Sequence, residues 1–214
     1  MNVTVLTPSI GTPKLLNAIE SVAMQTVPVR HLVVADGKQH LSKVEFYANG
    51  AETLPEIAWL PDNTGQPDWY GHRIYANYSQ LIDTDFLFLL DEDNEYLPNH
   101  VETMLERAIR FGFAWSYRHI RCGHFYGKDT KESIGVPGQH PSVNYRLIDT
   151  SCWAFSREKL HRLRHINHRW GADRRLTEAM FSTEDAFHSA CTGQHTMIYN
   201  APEKNIGFYK EICG

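Results

Sequence analysis

Three consecutive acidic side chains directly follow an apolar run. Residues 87–90 read Leu-Phe-Leu-Leu, and Asp91-Glu92-Asp93 comes next, so a buried strand would end where carboxylates repel one another. In an extended segment Asp91 and Asp93 lie on the same side. Such carboxylates suit Mg²⁺ or Mn²⁺ shared with phosphate oxygens. An acidic helix cap is the alternative, but the next helix is predicted only from Pro98. The pattern therefore favours a divalent-cation site.

The elements that would position these residues follow from the hydrophobic pattern. Apolar runs predict strands at 3–6, 31–35, 57–60 and 85–90, and helical spacing predicts helices at 41–49, 71–82 and 98–110. A further helix is expected after Thr12 as N-cap and Pro13 at its first position, and Gly112 is the expected C-cap of the helix at 98–110. Strands alternating with helices predict one α/β domain with a mostly parallel central sheet flanked by helices.

Ligands of such sheets bind beyond the carboxyl ends of the strands. Pro8, Ser9 and Asp36 follow the first two predicted strands, and the acidic cluster follows the fourth. We therefore expect these residues to share one edge of the sheet.

Composition excludes several classes of protein. The 214 residues are 42% hydrophobic and 21% charged, which suits one globular domain. No apolar run approaches the 18 or more residues of a membrane span, and no secretory signal pattern opens the chain. The four cysteines are far apart, which favours a reduced, cytoplasmic protein.

The net charge of −4 conceals a segregation of charge. Residues 1–116 hold 7 Lys/Arg and 15 Asp/Glu, whereas residues 117–175 hold 12 and 5. A basic block within an acidic protein is typical of an anionic partner. An ordinary solvated face is the other interpretation, and charge alone does not decide between them.

The common phosphate-binding and hydrolase signatures are absent. There is no G-x-x-x-x-G-K-[ST], no G-x-G-x-x-G after the first strand and no G-x-S-x-G, which argues against a P-loop ATPase, a Rossmann dehydrogenase and an α/β-hydrolase. Phosphate must then be bound by a metal or by basic side chains.

Five segments together resemble a nucleotide-sugar glycosyltransferase with the A-type fold, similar to the inverting glycosyltransferase family 2. They occur in the family's order and span nearly the whole chain. The segments are residues 3–9 with the S-V-x-x-Q-T run at 21–26, the second strand ending at Asp36, Asp62-Asn63-Thr64-Gly65 with Arg73 and Asn77, the D-x-D pattern at 91–93, and Thr183-Glu184-Asp185. The family's D-D-G-S after the second strand is here Ala35-Asp36-Gly37-Lys38.

This resemblance implies transfer of a sugar from a nucleoside diphosphate sugar, expected to be a UDP-sugar, to an acceptor hydroxyl with inversion. Mn²⁺ or Mg²⁺ is the implied cofactor, with Asp93 and Asp91 as ligands. A C-terminal histidine would complete the shell, with His195 and His188 as candidates. The donor-binding residues implied are Pro8, Ser9, Asp36, Arg73, Asp91 and Glu92.

The resemblance also implies a general base, Asp185, with Glu184 beside it. A helix N-terminus capped by Thr183 is the alternative interpretation of that segment. Trp153 is a candidate for stacking on the acceptor, with packing in the core as the equal alternative. Trp170 is a second candidate, and Asp173 lies in the segment expected to flank the acceptor pocket. His161, His165 and His168 have helical spacing, but interleaved arginines favour a basic acceptor surface or a solvated helix over zinc.

On this interpretation residues 1–116 bind the donor, and residues 117–214 bind the acceptor and supply the base. The acceptor is a hydroxyl compound that can be anionic: a glycan, a lipid-linked sugar or modified nucleic acid. One alternative is a nucleotidyltransferase, although the loop after the first strand has one glycine and no cation before Lys14. The other is a nucleic-acid-binding module built on 117–175, without a zinc-finger or RNP-like motif to support it. Oligomeric state is not predicted.

Overall fold

The protein is described from a computed structural model that covers residues 1–65, 69–130 and 147–213. The segment 131–146 of the basic block lies outside the described residues. The strands are β1 (Val3–Ser9), β2 (Arg30–Ala35), β3 (Glu56–Trp59), β4 (Phe86–Leu89), β5 (Glu95–Tyr96), β6 (Phe113–Cys122), β7 (Phe125–Lys128), β8 (Trp153–Ser156) and β9 (Cys191–Asn200). The α-helices are α1 (Leu15–Ala23), α2 (Leu41–Ala48), α3 (His72–Asn77), α4 (His100–Phe111), α5 (Ala172–Thr183) and α6 (Ile206–Ile212).

The strands form one sheet in the order β3-β2-β1-β4-β8-β6-β9-β5, with β7 beside β6. The first four strands pair in parallel, as the alternation of strands and helices predicts. The later strands add antiparallel pairs between β4 and β8, β6 and β8, β6 and β7, and β5 and β9, whereas β6 and β9 are parallel. The α/β class with a central sheet flanked by helices is confirmed.

Helices cover both faces of the parallel half because successive residues of a strand point to opposite sides. Val33 and Ala35 of β2 pack with α1 and α2 in one hydrophobic cluster. Leu32 and Val34 join the larger core on the other face. This double burial explains why the strand is apolar throughout rather than alternating.

Two helix boundaries show how far local signals reach. Gly112 ends α4 in the left-handed conformation, at φ 79°, as predicted. Thr12 is not the N-cap of α1, because the helix begins at Leu15 after Lys14 and has no side-chain cap. The Thr12 N–H instead donates to the Glu92 carboxylate at 3.2 Å, so a distant contact replaces the expected cap.

The helical segments after residue 70 differ most from the local predictions. The predicted helix at 71–82 is α3 followed by a 3₁₀ turn at Tyr78–Leu81, and a longer 3₁₀ segment spans Arg157–Ile166. Thr183 ends α5, so Thr183-Glu184-Asp185 is a helix C-terminus and the helix-cap interpretation of that segment is corrected. Among the described residues, no helix is both long and apolar enough to cross a membrane.

Candidate active site

The strand order brings four polar segments to one edge of the sheet. Asp36 follows β2, and Ser9 ends β1. Asp91 and Asp93 follow β4. Because β8 runs antiparallel to β4, the turn before β8, with Asp149 and Ser151, starts beside the end of β4.

These segments line a cleft of about 1300 Å³. Seven of the predicted site residues lie in its wall: Pro8, Ser9, Asp36, Asp91, Glu92, Asp93 and Trp170. The far wall comes from the start of α5 and from the C-terminal segment around α6, which contributes Phe208. One continuous cavity therefore joins the carboxyl ends of the parallel strands to the C-terminal half of the chain.

Asp36 organises the loop that follows β3. Its Oδ1 accepts hydrogen bonds from the Thr64 N–H at 2.7 Å and the Thr64 hydroxyl at 2.9 Å. A Cβ on Gly65 would lie only 2.6 Å from the other Asp36 oxygen. The loop therefore packs closely over one carboxylate oxygen and leaves Asp36 and Gly65 side by side in the cleft wall.

The Glu92 carboxylate forms hydrogen bonds with the loop after β1. It accepts from the Ser9 hydroxyl at 2.5 Å and from the Thr12 N–H at 3.2 Å. The Ser9 oxygen in turn accepts from the Gly11 N–H at 2.9 Å. These bonds fix the β1–α1 loop against the acidic cluster, so Ser9 and Glu92 shape the cleft together.

Asp91 is the most perturbed carboxyl group of the cleft. Its oxygens accept from the Tyr75 hydroxyl at 3.0 Å and the Ser151 hydroxyl at 3.2 Å. Burial, followed by the charges of Asp149 and Asp93, raises the pKa of Asp91 to about 8. Two donors do not offset that cost, so a further cation near Asp91 would be stabilising.

Asp93 is the half-exposed member of the acidic cluster. Lys14 lies 3.8 Å from its carboxylate, and burial together with the charges of Asp149 and Glu92 raises its pKa. No group of three or more His, Cys, Asp or Glu side chains that could hold a metal occurs among the described residues. Asp93 and Asp91 fit a divalent cation that takes its other ligands from a bound diphosphate, since oxygen donors are what Mg²⁺ and Mn²⁺ prefer.

Arg118 of β6 neutralises two buried carboxylates and, with one of them, Asp149, lines the cleft. Its guanidinium lies 2.7 Å from Asp149 and 3.1 Å from Asp129, and all three side chains are at most 9% exposed. Asp149 also accepts from the Ser151 N–H at 3.0 Å. Sequence patterns did not identify Asp149 or Arg118 as site residues, because three separate segments supply this network.

Asp173 brings a further carboxyl group into the cleft, from the first turn of α5. Burial and the charge of Asp149 raise the pKa of Asp173 to about 6. The Arg174 N–H donates to this carboxylate at 2.8 Å and acts in the opposite direction, lowering the pKa. Gly171 precedes the helix in the left-handed conformation at φ 81°, which permits the tight entry. The signal in the sequence was this glycine two residues before an acidic helix start.

Aromatic side chains line the outer part of the cleft. Trp170 is 66% exposed and Phe208 37% exposed, and both lie in the cavity wall with Tyr70. The Arg174 guanidinium stacks 4.4 Å from the Trp170 ring. Flat exposed rings of this kind suit stacking on a sugar.

Five predicted residues do not lie in the cleft wall. Asp185 is exposed in the turn after α5, and Glu184 is paired with Lys159 at 2.7 Å and Arg162 at 2.6 Å. Neither Asp185 nor Glu184 is a lining residue of the cleft, whereas the start of the same helix supplies Asp173.

The other three residues have structural partners of their own. Arg73 stacks 3.7 Å from the Trp69 ring. His195 lies 3.0 Å from the Asp129 carbonyl and against the Tyr117 ring, and the other candidate, His188, is exposed after α5. Trp153 is fully buried in the core, which corrects its assignment to acceptor stacking because no ring face is accessible.

The fold is similar to that of known glycosyltransferases. Structures of S. aureus TarS, a glycosyltransferase, are among those that match. Residues 1–349 of TarS in complex with UDP match all of this chain with TM-score 0.63 and 12% identity. The same segment without ligand matches 98% with TM-score 0.64 and 14% identity, and its complex with UDP-GlcNAc matches 94% with TM-score 0.63 and 13% identity.

The comparisons bear on fold rather than on close kinship. The matches cover 64%, 63% and 59% of those TarS chains, so this chain spans less than two thirds of their length. No family model matches the sequence, and no curated protein does.

Proposed function

We propose that this protein is a glycosyltransferase that transfers a sugar from a UDP-sugar to an acceptor hydroxyl with inversion. The observation that carries the proposal is the single cleft that joins Asp36, the Asp91–Asp93 cluster and Asp173. A nucleotide, a diphosphate and an acceptor hydroxyl each need a different part of such a cavity. The similarity of the fold to that of TarS, which forms complexes with UDP and UDP-GlcNAc, supports the same interpretation.

Residues 1–116 supply the donor side of the proposed site. Asp36 and Pro8 lie where the nucleoside would enter, and Asp36 keeps one carboxylate oxygen that Thr64 does not use. Ser9 and Glu92 act as positioning residues, because their bonds fix the loop between donor pocket and acidic cluster. Arg73 acts through the 64–65 loop, since it reaches the Thr64 carbonyl at 3.4 Å.

Asp93 and Asp91 would hold Mn²⁺ or Mg²⁺ with the donor diphosphate. The cation would stabilise the charge that develops on the departing diphosphate. Lys14, 3.8 Å from Asp93, adds a fixed positive charge to the same region. Tyr75 and Ser151 orient Asp91 through their hydroxyl groups.

Asp173 is the proposed general base, in place of Asp185. The acceptor oxygen forms the bond to the anomeric carbon while the bond from that carbon to the diphosphate oxygen breaks. The hydroxyl proton passes to the Asp173 carboxylate as the oxygen attacks. A pKa of about 6 leaves Asp173 ionised at neutral pH yet more basic than an exposed aspartate. Residues 117–214 thus supply the acceptor side, with Trp170 as its stacking surface.

Nucleotide binding tests the donor half of the proposal. We expect UDP to raise the melting temperature more than GDP, CDP or ADP do, and Mn²⁺ to strengthen the effect. A ligand at 100 times its Kd adds about 2.7 kcal/mol, or roughly 5–10 °C in a domain of this size. Asp93→Asn should lose the part that depends on Mn²⁺, whereas Glu106→Gln, an exposed acid on α4, should keep it.

Product analysis tests the transfer itself. Turnover of UDP-sugars with a panel of hydroxyl acceptors should release UDP, and NMR of the product should show an inverted anomeric configuration. Release of pyrophosphate from a nucleoside triphosphate would instead indicate a nucleotidyltransferase.

In the nucleotide-binding test, absence of a melting-temperature shift with every nucleoside diphosphate would overturn the proposed donor site.

A further inference from the structure

A second concavity of about 440 Å³ lies on the other side of the α5 start. It is formed between the 3₁₀ segment and α5. Its polar lining consists of Arg164, His165, Asn167, His168, Arg175, Glu178 and Ser182. We call this concavity the basic pocket.

The arginines of the basic pocket, unlike neighbouring cations, are not paired with an acidic side chain among the described residues. Lys159 and Arg162 are both paired with Glu184. Arg164 and Arg175, in contrast, form no ion pair with any described residue, and Glu178 is the one acid among the described lining residues. The pocket therefore retains net positive charge.

Two histidines add to this electrostatic character. Burial and the charges of Arg164, Arg162 and His161 lower the pKa of His165, as expected where positive charge is concentrated. The His168 ring also lines the pocket, and its Nδ1 is buried without a hydrogen-bond partner among the described residues. An anion in the pocket would offset the positive charge around His165.

The basic pocket and the cleft share a thin wall. His168 lines the pocket and Trp170 lines the cleft, and residues two apart are separated by at most about 7 Å along the chain. His72, from the cleft side, donates to the His168 carbonyl at 2.8 Å. An acceptor with its hydroxyl at Asp173 and a second group extending past Trp170 would approach this side of the protein.

We infer that the basic pocket binds a phosphate group of a phosphorylated carbohydrate acceptor. This inference rests on the proposed function and names its acceptor class. Arginine side chains recognise phosphate through paired N–H donors. The basic pocket has room for one phosphate group, unlike a surface that binds a row of phosphates. Nucleic acid is disfavoured, because no Phe, Tyr or Trp among the described residues lines the pocket to stack a base.

Phosphate titration of the full chain tests this inference. UDP is kept saturating so that the cleft is filled, and inorganic phosphate is titrated by calorimetry. The pocket variant is Arg164→Gln with Arg175→Gln. The matched control is Lys43→Gln with Arg110→Gln, which also removes two exposed cations from elements distant in sequence, α2 and α4. We expect the pocket variant to weaken phosphate binding about tenfold or more and the control to leave it unchanged.

The outcomes separate the two proposals. If the unmodified protein does not bind UDP, the proposed function is contradicted. If it binds UDP but both variants bind phosphate with equal affinity, only the inference about the basic pocket is overturned. Failure of the unmodified protein to bind phosphate would overturn it as well. Glucose 1-phosphate should compete with phosphate, and a 12-nucleotide single-stranded DNA should not. Competition by the DNA alone would assign the pocket to nucleic acid and reject the carbohydrate.

Discussion

Arg118 and Asp149 form a buried ion pair with 2.7 Å between guanidinium and carboxylate. The pair joins β6 to the turn before β8, and the charge of Asp149 raises the pKa of Asp91, Asp93 and Asp173. Asp149 is therefore the electrostatic link between the acidic cluster and the proposed base. Arg118 is what makes its ionised form tolerable in the protein interior.

Replacing Arg118 with methionine should destabilise the fold strongly. It would leave the carboxylates of Asp149 and Asp129 buried without this partner, and breaking a buried pair in this way typically costs about 3–5 kcal/mol. Urea unfolding would measure the change. Arg110→Met, on the exposed face of α4, should change stability by less than about 0.5 kcal/mol, and similar losses in both variants would contradict the role of the pair.

Asp173→Asn should remove most turnover and leave UDP binding intact. A positioned base contributes about 10²- to 10⁴-fold to the rate, and Asp173 lines the cleft whereas Asp185 does not. Asp185→Asn is therefore the control and should keep near-normal turnover. If Asp185→Asn is the inactive variant, the assignment of the base returns to the end of α5.

The pH profile offers an independent check on Asp173. Because burial raises its pKa to about 6, the base is protonated below that pH and ionised above it. The acidic limb of kcat/KM should accordingly fall about tenfold per pH unit below pH 6 and level off above it. A limb centred near pH 4 would point to a carboxyl group with an ordinary pKa instead.

Features that depend on residues close together in the sequence could be predicted from it, whereas features that depend on contacts between distant residues could not. Apolar runs located β1, β2, β3 and β4 because the hydrophobic signal lies within each run, even for β3, which is only partly buried. The start of α1 was misplaced because Thr12 donates to Glu92, 80 residues away.

The choice between Asp173 and Asp185 as the base also depends on distant contacts. Asp173 and Asp185 both lie next to ends of α5, and only the packing of that helix decides which end faces the cleft. Arg118 and Asp149 were missed because their pairing depends on the crossover that sets β6 beside β8. The acidic cluster, in contrast, was recognisable because its strand and its carboxylates are contiguous.

His100 should make the protein sensitive to acid. Burial lowers its pKa to about 3, below the unfolded value of about 6.5, so the unfolded chain binds the proton first as the pH falls. Stability from the neutral ring is present above pH 6.5 and is lost between about pH 6.5 and 3, by up to about 1.4 kcal/mol per pH unit.

Unfolding at several pH values would test this effect. His100→Gln should flatten the dependence, although it loses the stacking on Tyr96 at 3.8 Å and is less stable at pH 7. The exposed His188 provides the control, since His188→Gln should leave the slope unchanged. An unaltered slope in His100→Gln would place the acid sensitivity elsewhere.

Gly71→Ala should disturb the nucleotide end of the cleft. A Cβ there would lie 2.5 Å from the Pro8 Cβ, and the rigid proline ring cannot rotate away. We expect a loss of about 1–3 kcal/mol of stability and weaker UDP binding in a calorimetric titration. Gly207→Ala is the matched control, because nothing lies within 4 Å of its added Cβ, and in α6 it should stabilise by about 0.5–1 kcal/mol.

Trp170→Ala should weaken acceptor binding alone. The ring is 66% exposed, so its loss should change stability by less than about 0.5 kcal/mol, and it lies in the cleft with Asp173. Loss of a stacking contact of about 1 kcal/mol corresponds to a roughly fivefold to tenfold rise in the acceptor KM, with the UDP Kd unchanged. Trp59→Ala removes an indole that is 53% exposed on β3, outside the cleft wall, and should leave both constants unchanged. A rise in the UDP Kd upon Trp170→Ala would instead place this ring on the donor side, and the acceptor would then have to enter past α6.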